Sequence, residues 1–137
     1  MSLRISRSLL TGLAERAAGS THEICGLLFG DSDQIISAQA CANVASDPAT
    51  RFEIDPAALI AAHRHARQGG PQLIGVYHSH PGGRPDPSER DAADAAPDGW
   101  LWMILGGAEV RCWRAVPGGT VHGRFDAVAF EADETIR

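Results

Sequence analysis

The run Leu73-Ile74-Gly75-Val76-Tyr77 carries no charged or strongly polar side chain, and it passes without a break into His78-Ser79-His80. Such a run reads as a buried strand, and its flanks read as helices. Upstream, Asp55-Pro56 is a helix start, a capping acid followed by proline at the first helical position. The Ala-rich stretch after it continues to Gln68 and ends at Gly69-Gly70-Pro71. Downstream, Asp86-Pro87 repeats that syntax and predicts a short third helix to about Ala96.

The remaining segments follow the same alternation. Leu9, Leu10, Leu13, Ala14 and Ala17 form one helical stripe, with Ser6 or Ser8 as N-cap and Gly19 as the stop. Glu23-Ile24-Cys25-Gly26-Leu27-Leu28-Phe29-Gly30 reads as a strand ended by Gly30-Asp31, and residues 34–41 as its hairpin partner. From Asn43 to Asp55 the chain is polar and irregular, with a short strand at Arg51-Phe52-Glu53-Ile54. Strands are also expected at Trp100–Leu105, Val110–Val116 and Val121–Phe130, separated by turns at Gly106-Gly107 and Gly118-Gly119. Strands interleaved with helices imply a layered α/β sandwich on a mixed sheet. With 137 residues, 44% of them hydrophobic, the chain is expected to be a single domain over residues 1–137 with an ample core.

Several function classes are disfavoured. Seventeen acidic against twelve basic side chains give a net charge of −5, which argues against nucleic acid as a partner. All twelve basic residues are arginine, so no lysine is available for isopeptide conjugation to this chain. No apolar run approaches a membrane span, and the N-terminus lacks the apolar core of a secretory signal. Arg4, Arg7 and Arg16 among Ser and Leu resemble a transit peptide faintly, but the helical stripe explains them better. Three cysteines, an odd number, fit a reducing compartment, and the expected location is the cytoplasm.

The chemistry concentrates around residues 78–91. A period of two turns His78 and His80 to one side of their strand, with Ser79 opposite. Ser88 and Asp91, three apart, share a face of the third helix, which the intervening Gly82-Gly83-Arg84-Pro85 can fold back over the strand end. Two imidazoles and one carboxylate, with a fourth position left open, form the donor set of a hydrolytic zinc site. Such a site needs a proton acceptor and donor near the metal, and Glu23 is the candidate because a charge opening an apolar strand is costly unless matched. The Ser88 hydroxyl is placed to donate to a developing oxyanion, although Ser88-x-x-Asp91 taken alone reads as a capping box.

Glu23, then Gly75-Val76-Tyr77-His78-Ser79-His80-Pro81, Ser88 and Asp91, resembles the JAMM (MPN+) metalloprotease motif at the family's spacing. Glu-x-Cys-Gly-Leu at 23–27, Asn43-Val44 and Phe52-Glu53-Ile54-Asp55-Pro56 are similar to segments of its small bacterial members. The resemblance implies a cytidine-deaminase-like three-layer α/β/α sandwich and a zinc-dependent peptidase or isopeptidase. In it His78, His80 and Asp91 are the ligands of one zinc ion, Glu23 the general acid/base, and Ser88 the stabiliser of the tetrahedral intermediate. The implied substrate is a ubiquitin-like (β-grasp) sulfur-carrier protein, cut after its C-terminal Gly-Gly. Asn43 and Arg51 line the substrate groove by the same resemblance. Arg84 either holds a substrate carboxylate or carbonyl, or pairs with a neighbour such as Asp86. The alternative function is a non-catalytic MPN-type scaffold module for a ubiquitin-like partner. A zinc deaminase would need His-x-Glu and a later Pro-Cys-x-x-Cys, which the sequence lacks. Cys25, predicted on the side of Glu23, is expected to be an inert core thiol.

Overall fold

The computed structural model describes residues 2–133. In chain order the elements are β1 (Leu3–Ser6), α1 (Arg7–Ala18), β2 (Cys25–Gly30), β3 (Gln34–Cys41), α2 (Pro56–Arg67), β4 (Leu73–His80), α3 (Glu89–Asp94), β5 (Leu101–Gly106), β6 (Glu109–Gly119), β7 (Gly123–Val128) and β8 (Phe130–Asp133). The strands form one mixed sheet in the order β7-β6-β5-β4-β2-β3-β1-β8. β4 lies inside it, antiparallel to β2 and parallel to β5.

Each strand sends alternate side chains to opposite faces, and the two faces have different partners. Leu28, Ile35, Tyr77, Leu101, Met103 and Leu105 pack with Leu9, Leu10, Leu13 and Ala17 of α1. Leu27, Phe29, Val76, Trp102, Ile104 and Phe125 pack with Leu59 and Ala62 of α2 and with Ala92 of α3. Helices therefore cover both faces, and the layering is the α/β/α sandwich expected from the sequence. The helix starts follow local chemistry. Ser6 accepts from the Leu9 N–H, and Asp55 accepts from the Ala57 N–H with Pro56 in the first turn.

Five local expectations are corrected. Leu3–Ser6 forms β1, which pairs in parallel with both β3 and β8, where no strand was expected. Val121–Phe130 is not one strand. β7 pairs with β6 and β8 with β1, and Ala129 alone joins strands at the two ends of the sheet order, so the sheet must curl until its ends meet. Arg51–Ile54 is reduced to a single bridge between Ile54 and Asn43. Glu23 precedes β2 instead of opening it. The third helix begins after Ser88, not at Asp86-Pro87, because Ser88 and Asp91 satisfy each other's backbone N–H. It ends at Asp94, ahead of Pro97, which biases the residue before it away from helical geometry.

Candidate active site

β4 ends where its neighbours bring other elements close. His78 lies opposite Cys25 of β2 and Ile104 of β5, and strand parity turns the His78 and His80 rings to the same side. Their Nε2 atoms stand 3.0 Å apart, and Asp91 Oδ2, carried on α3, stands 3.2 Å from each. His80 Nδ1–H donates to the Arg84 carbonyl at 2.8 Å, which directs its Nε2 towards Asp91. Ser79 points the other way, as expected: its hydroxyl accepts from the Ile24 N–H at 2.9 Å and its own N–H donates to the Ile24 carbonyl. This splice holds the segment bearing Glu23 against β4.

Asn43 completes that hold. Its Nδ2 donates to the carbonyls of Glu23 at 2.9 Å and Arg51 at 3.0 Å, and its Oδ1 accepts from the Ala45 and Glu53 N–H groups. The side chain is thus spent on tying the 43–53 loop to the backbone of Glu23. Arg51 reaches Asp94 of α3 at 3.7 Å. Arg84 is almost wholly exposed and bonds Asp86, the second of the two readings its sequence position allowed.

Electrostatics separates the groups. Burial pushes Glu23 up to about 7, with His80 pulling it down and Asp91 pushing it further up. Burial would raise Asp91 as well, but the imidazoles of His78 and His80 and the Ser88 N–H hold it well below the usual carboxylate range. His78 is lowered by complete burial against the opposing pull of Asp91. His80 is raised, because Asp91, the Arg84 carbonyl and Glu23 outweigh its burial. Cys25 donates towards the Cys41 and Ala42 carbonyls, and burial pushes its thiol up to about 12, which disfavours the thiolate.

The donor set fits a metal ion. Ligand atoms of Glu23, His78 and His80 lie within 4.8 Å of one another, a grouping that could hold a cation. Asp91 Oδ2 is closer still, and the 3.0–3.2 Å spacings among it and the two Nε2 atoms approach the edge of a tetrahedron with bonds of about 2.0–2.1 Å, which is about 3.3 Å. Glu23 Oε1 is buried without a hydrogen-bond partner, a costly arrangement that a cation or a reacting group would relieve.

Sequence reasoning missed the aromatic wall. The Phe52 ring stacks on His78 at 4.3 Å between centroids and 19° between planes, and Trp102 meets the same imidazole edge-on at 5.7 Å. Continuous with this wall is a groove of about 580 Å³ lined by Arg51, Phe52, Ile54, Leu59, Trp100 and Trp102. The alternation of Phe52 and Ile54 was the available signal, since it sends both to the α2 and α3 face.

The sequence model of the family described as prokaryotic homologs of the JAB domain matches residues 6–116. The chain belongs to the prokaryotic JAB family. This JAB-domain chain is thus of the small JAMM/MPN+ type that the motif suggested. It is 36% identical over 100 residues to the Desampylase of Haloferax volcanii, covering 71% of this chain and 72% of that protein. To the "Probable TtuB-protein conjugate cleaving protease" of Thermus thermophilus it is 42% identical over 81 residues, 58% of this chain and 53% of that protein. The fold is shared with protein DSY2949 of Desulfitobacterium hafniense, whose solution structure superposes with a TM-score of 0.80 at 22% identity, over 98% of this chain and 94% of that one. No helix among the described residues is long and apolar enough to cross a membrane.

Proposed function

We propose that this JAMM-type hydrolase holds one zinc ion through His78, His80 and Asp91, and acts on a ubiquitin-like protein in the cytoplasm. The bond it hydrolyses is the peptide or isopeptide bond after the C-terminal Gly-Gly of a β-grasp sulfur carrier. Residues 1–137 form the single catalytic domain. The observation that carries the reading is the convergence of two Nε2 atoms and one carboxylate oxygen within 3.2 Å, beside a second carboxylate of opposite proton affinity. The names borne by the Haloferax and Thermus relatives supply the substrate class.

Zinc, when bound, supplies Lewis acidity towards a carbonyl oxygen and towards water. The chain's own residues supply the rest. Glu23, with a proton affinity near neutrality, takes a proton from the attacking water and returns it to the leaving amine. Ser88 accepts the Asp91 N–H with its oxygen, which leaves its hydroxyl hydrogen to donate to the oxygen that gathers charge. Asp91, held ionised, and His78, held neutral, keep the electron pairs that a cation needs. Phe52 and Trp102 exclude water from the face of His78. The neighbouring groove receives the extended tail, with Arg51 on its rim, while Asn43 acts through the backbone of Glu23. The scaffold alternative does not use a Glu23 of this proton affinity beside three metal donors.

The test is a carrier protein extended or conjugated after Gly-Gly, incubated with the full chain. Cleavage that stops on zinc chelation and returns with added zinc is the expected result. A zinc-loaded chain that binds the carrier but cleaves no such bond would favour the scaffold alternative.

A further inference from the structure

The connection between the two histidines and Asp91 has few backbone hydrogen bonds of its own. Pro81, Pro85 and Pro87 remove three backbone N–H groups, and its internal ties are at its ends and tip: Gly83 N–H to the His80 carbonyl, His80 Nδ1–H to the Arg84 carbonyl, the exposed Arg84–Asp86 pair and the Ser88–Asp91 box. Further contacts along its length come from the C-terminal half of the chain. Trp113 Nε1–H of β6 donates to the Pro85 carbonyl at 3.0 Å in a buried bond. Arg111, stacked over the Trp113 ring, donates to Asp86 at 3.1 Å. Gly106 of β5 is bare where a Cβ would lie 2.5 Å from the Arg84 carbonyl carbon, so the connection rests directly on the strand end.

His122 makes the last of these contacts, and its backbone is unusual. It occupies the turn between β6 and β7 at φ 53°, a left-handed conformation that glycine adopts freely and that among the described residues no other non-glycine shows. Such a conformation costs backbone energy at a side-chain-bearing residue, which directs attention to what the side chain holds. That side chain reaches across the chain so that Nε2–H donates to the Pro87 carbonyl at 3.1 Å. Pro87 immediately precedes Ser88, whose N–H and hydroxyl are both engaged by Asp91.

We infer that His122 is a positioning residue for the metal site: by holding the Pro87 carbonyl it sets where Ser88 and Asp91 stand relative to His78 and His80. The inference rests on Asp91 being a zinc ligand. Partners that orient a ligand typically change metal affinity about 10- to 100-fold when removed. His122 acts one step further back, through a carbonyl, so the lower end of that range is expected.

The test uses the full chain stripped of metal, zinc alone as the probe, and chelator competition to read the dissociation constant. His122→Gly removes the side chain and relieves the left-handed backbone, so its melting temperature should equal or exceed that of the parent. Its zinc affinity should nevertheless fall about tenfold, and amide exchange at Asp91 should accelerate. His122→Gln, which keeps an N–H donor, should recover part of the affinity. Parental affinity in His122→Gly overturns the inference, and so does a loss that His122→Gln leaves unrepaired, which would mark a general role in the turn. A parent that binds no zinc overturns instead the reading of the site on which the inference stands.

Discussion

Glu23 and Asp91 are both 5% exposed and both neighbour His80, yet burial leaves them in opposite states. Asp91 stands on the first turn of α3, where the Ser88 N–H and two imidazoles meet its carboxylate, and it stays ionised. Glu23 stands on an irregular segment ahead of β2, where its backbone is tied by Asn43 and Pro48 but its Oε1 has no donor, and its proton affinity rises to about 7. Equal burial therefore does not give equal chemistry. The number of donors facing the carboxylate decides whether its proton affinity falls or rises.

The largest effect is expected at Asp91. Asp91→Asn keeps the shape and removes the anion, so zinc content after dialysis should fall to a small fraction of the parent's and turnover should vanish with it. With three protein ligands sharing a zinc binding energy of about 10–16 kcal/mol, the affinity loss should be about three orders of magnitude. Parental zinc content in this variant would remove Asp91 from the ligand set.

Glu23→Gln should act on the opposite property. Zinc content should be unchanged while kcat on a carrier conjugate falls by about 10²–10⁴-fold, the usual weight of a general acid/base. Loss of zinc here would make Glu23 a ligand and erase the distinction between the two carboxylates.

Ser88→Ala touches the support of Asp91 in two ways that separate by measurement. Loss of the helix cap should cost about 1 kcal/mol in denaturant unfolding. Loss of the hydroxyl donor should lower kcat by about 10²-fold with zinc retained. A stability cost without a kinetic one would leave Ser88 as a capping residue alone.

The smallest effect sharpens the contrast through pH. In the metal-free protein Glu23 binds its proton more tightly folded than unfolded, so its contribution to stability is complete below about 4.5 and is lost as pH rises through about 7. Asp91 is shifted the other way: its contribution is present above the ordinary value of 3.8 and lost only as pH falls below it, so it is constant between pH 5 and 8. Glu23→Gln should therefore raise the melting temperature relative to the parent more at pH 8 than at pH 5, by about 3 °C or more. An equal difference at both values would show that Glu23 is not raised.

Much of the site was legible because its signals are local. His78 and His80 are two apart on a strand, and Ser88 and Asp91 are three apart at a helix start, so chain geometry alone places each pair. The capping box read in Ser88-x-x-Asp91 is formed in the structure, and it uses the same Asp91 carboxylate that stands beside the two imidazoles. The Phe52 wall and the Asn43 knot were not legible, because each depends on contacts between segments remote in sequence. The same holds for β1 and β8. Four residues each carry too little periodicity to announce a strand, and their partners, β3 for β1 and β1 for β8, are remote in sequence.

By itself the sequence determined the alternation of strands and helices, the helix cap at Asp55 and a choice of Ser6 or Ser8 for the first helix, and the identity of five chemically matched side chains, because propensity, capping and periodicity act over a few neighbouring residues. Only the tertiary structure decided which carboxylate is ionised and how the proline-rich connection is held. Proton affinity and loop position are set by the donors and walls that surround a group in space, and Glu23, Asp91 and Pro87 draw theirs from strands, helices and turns distributed along most of the chain.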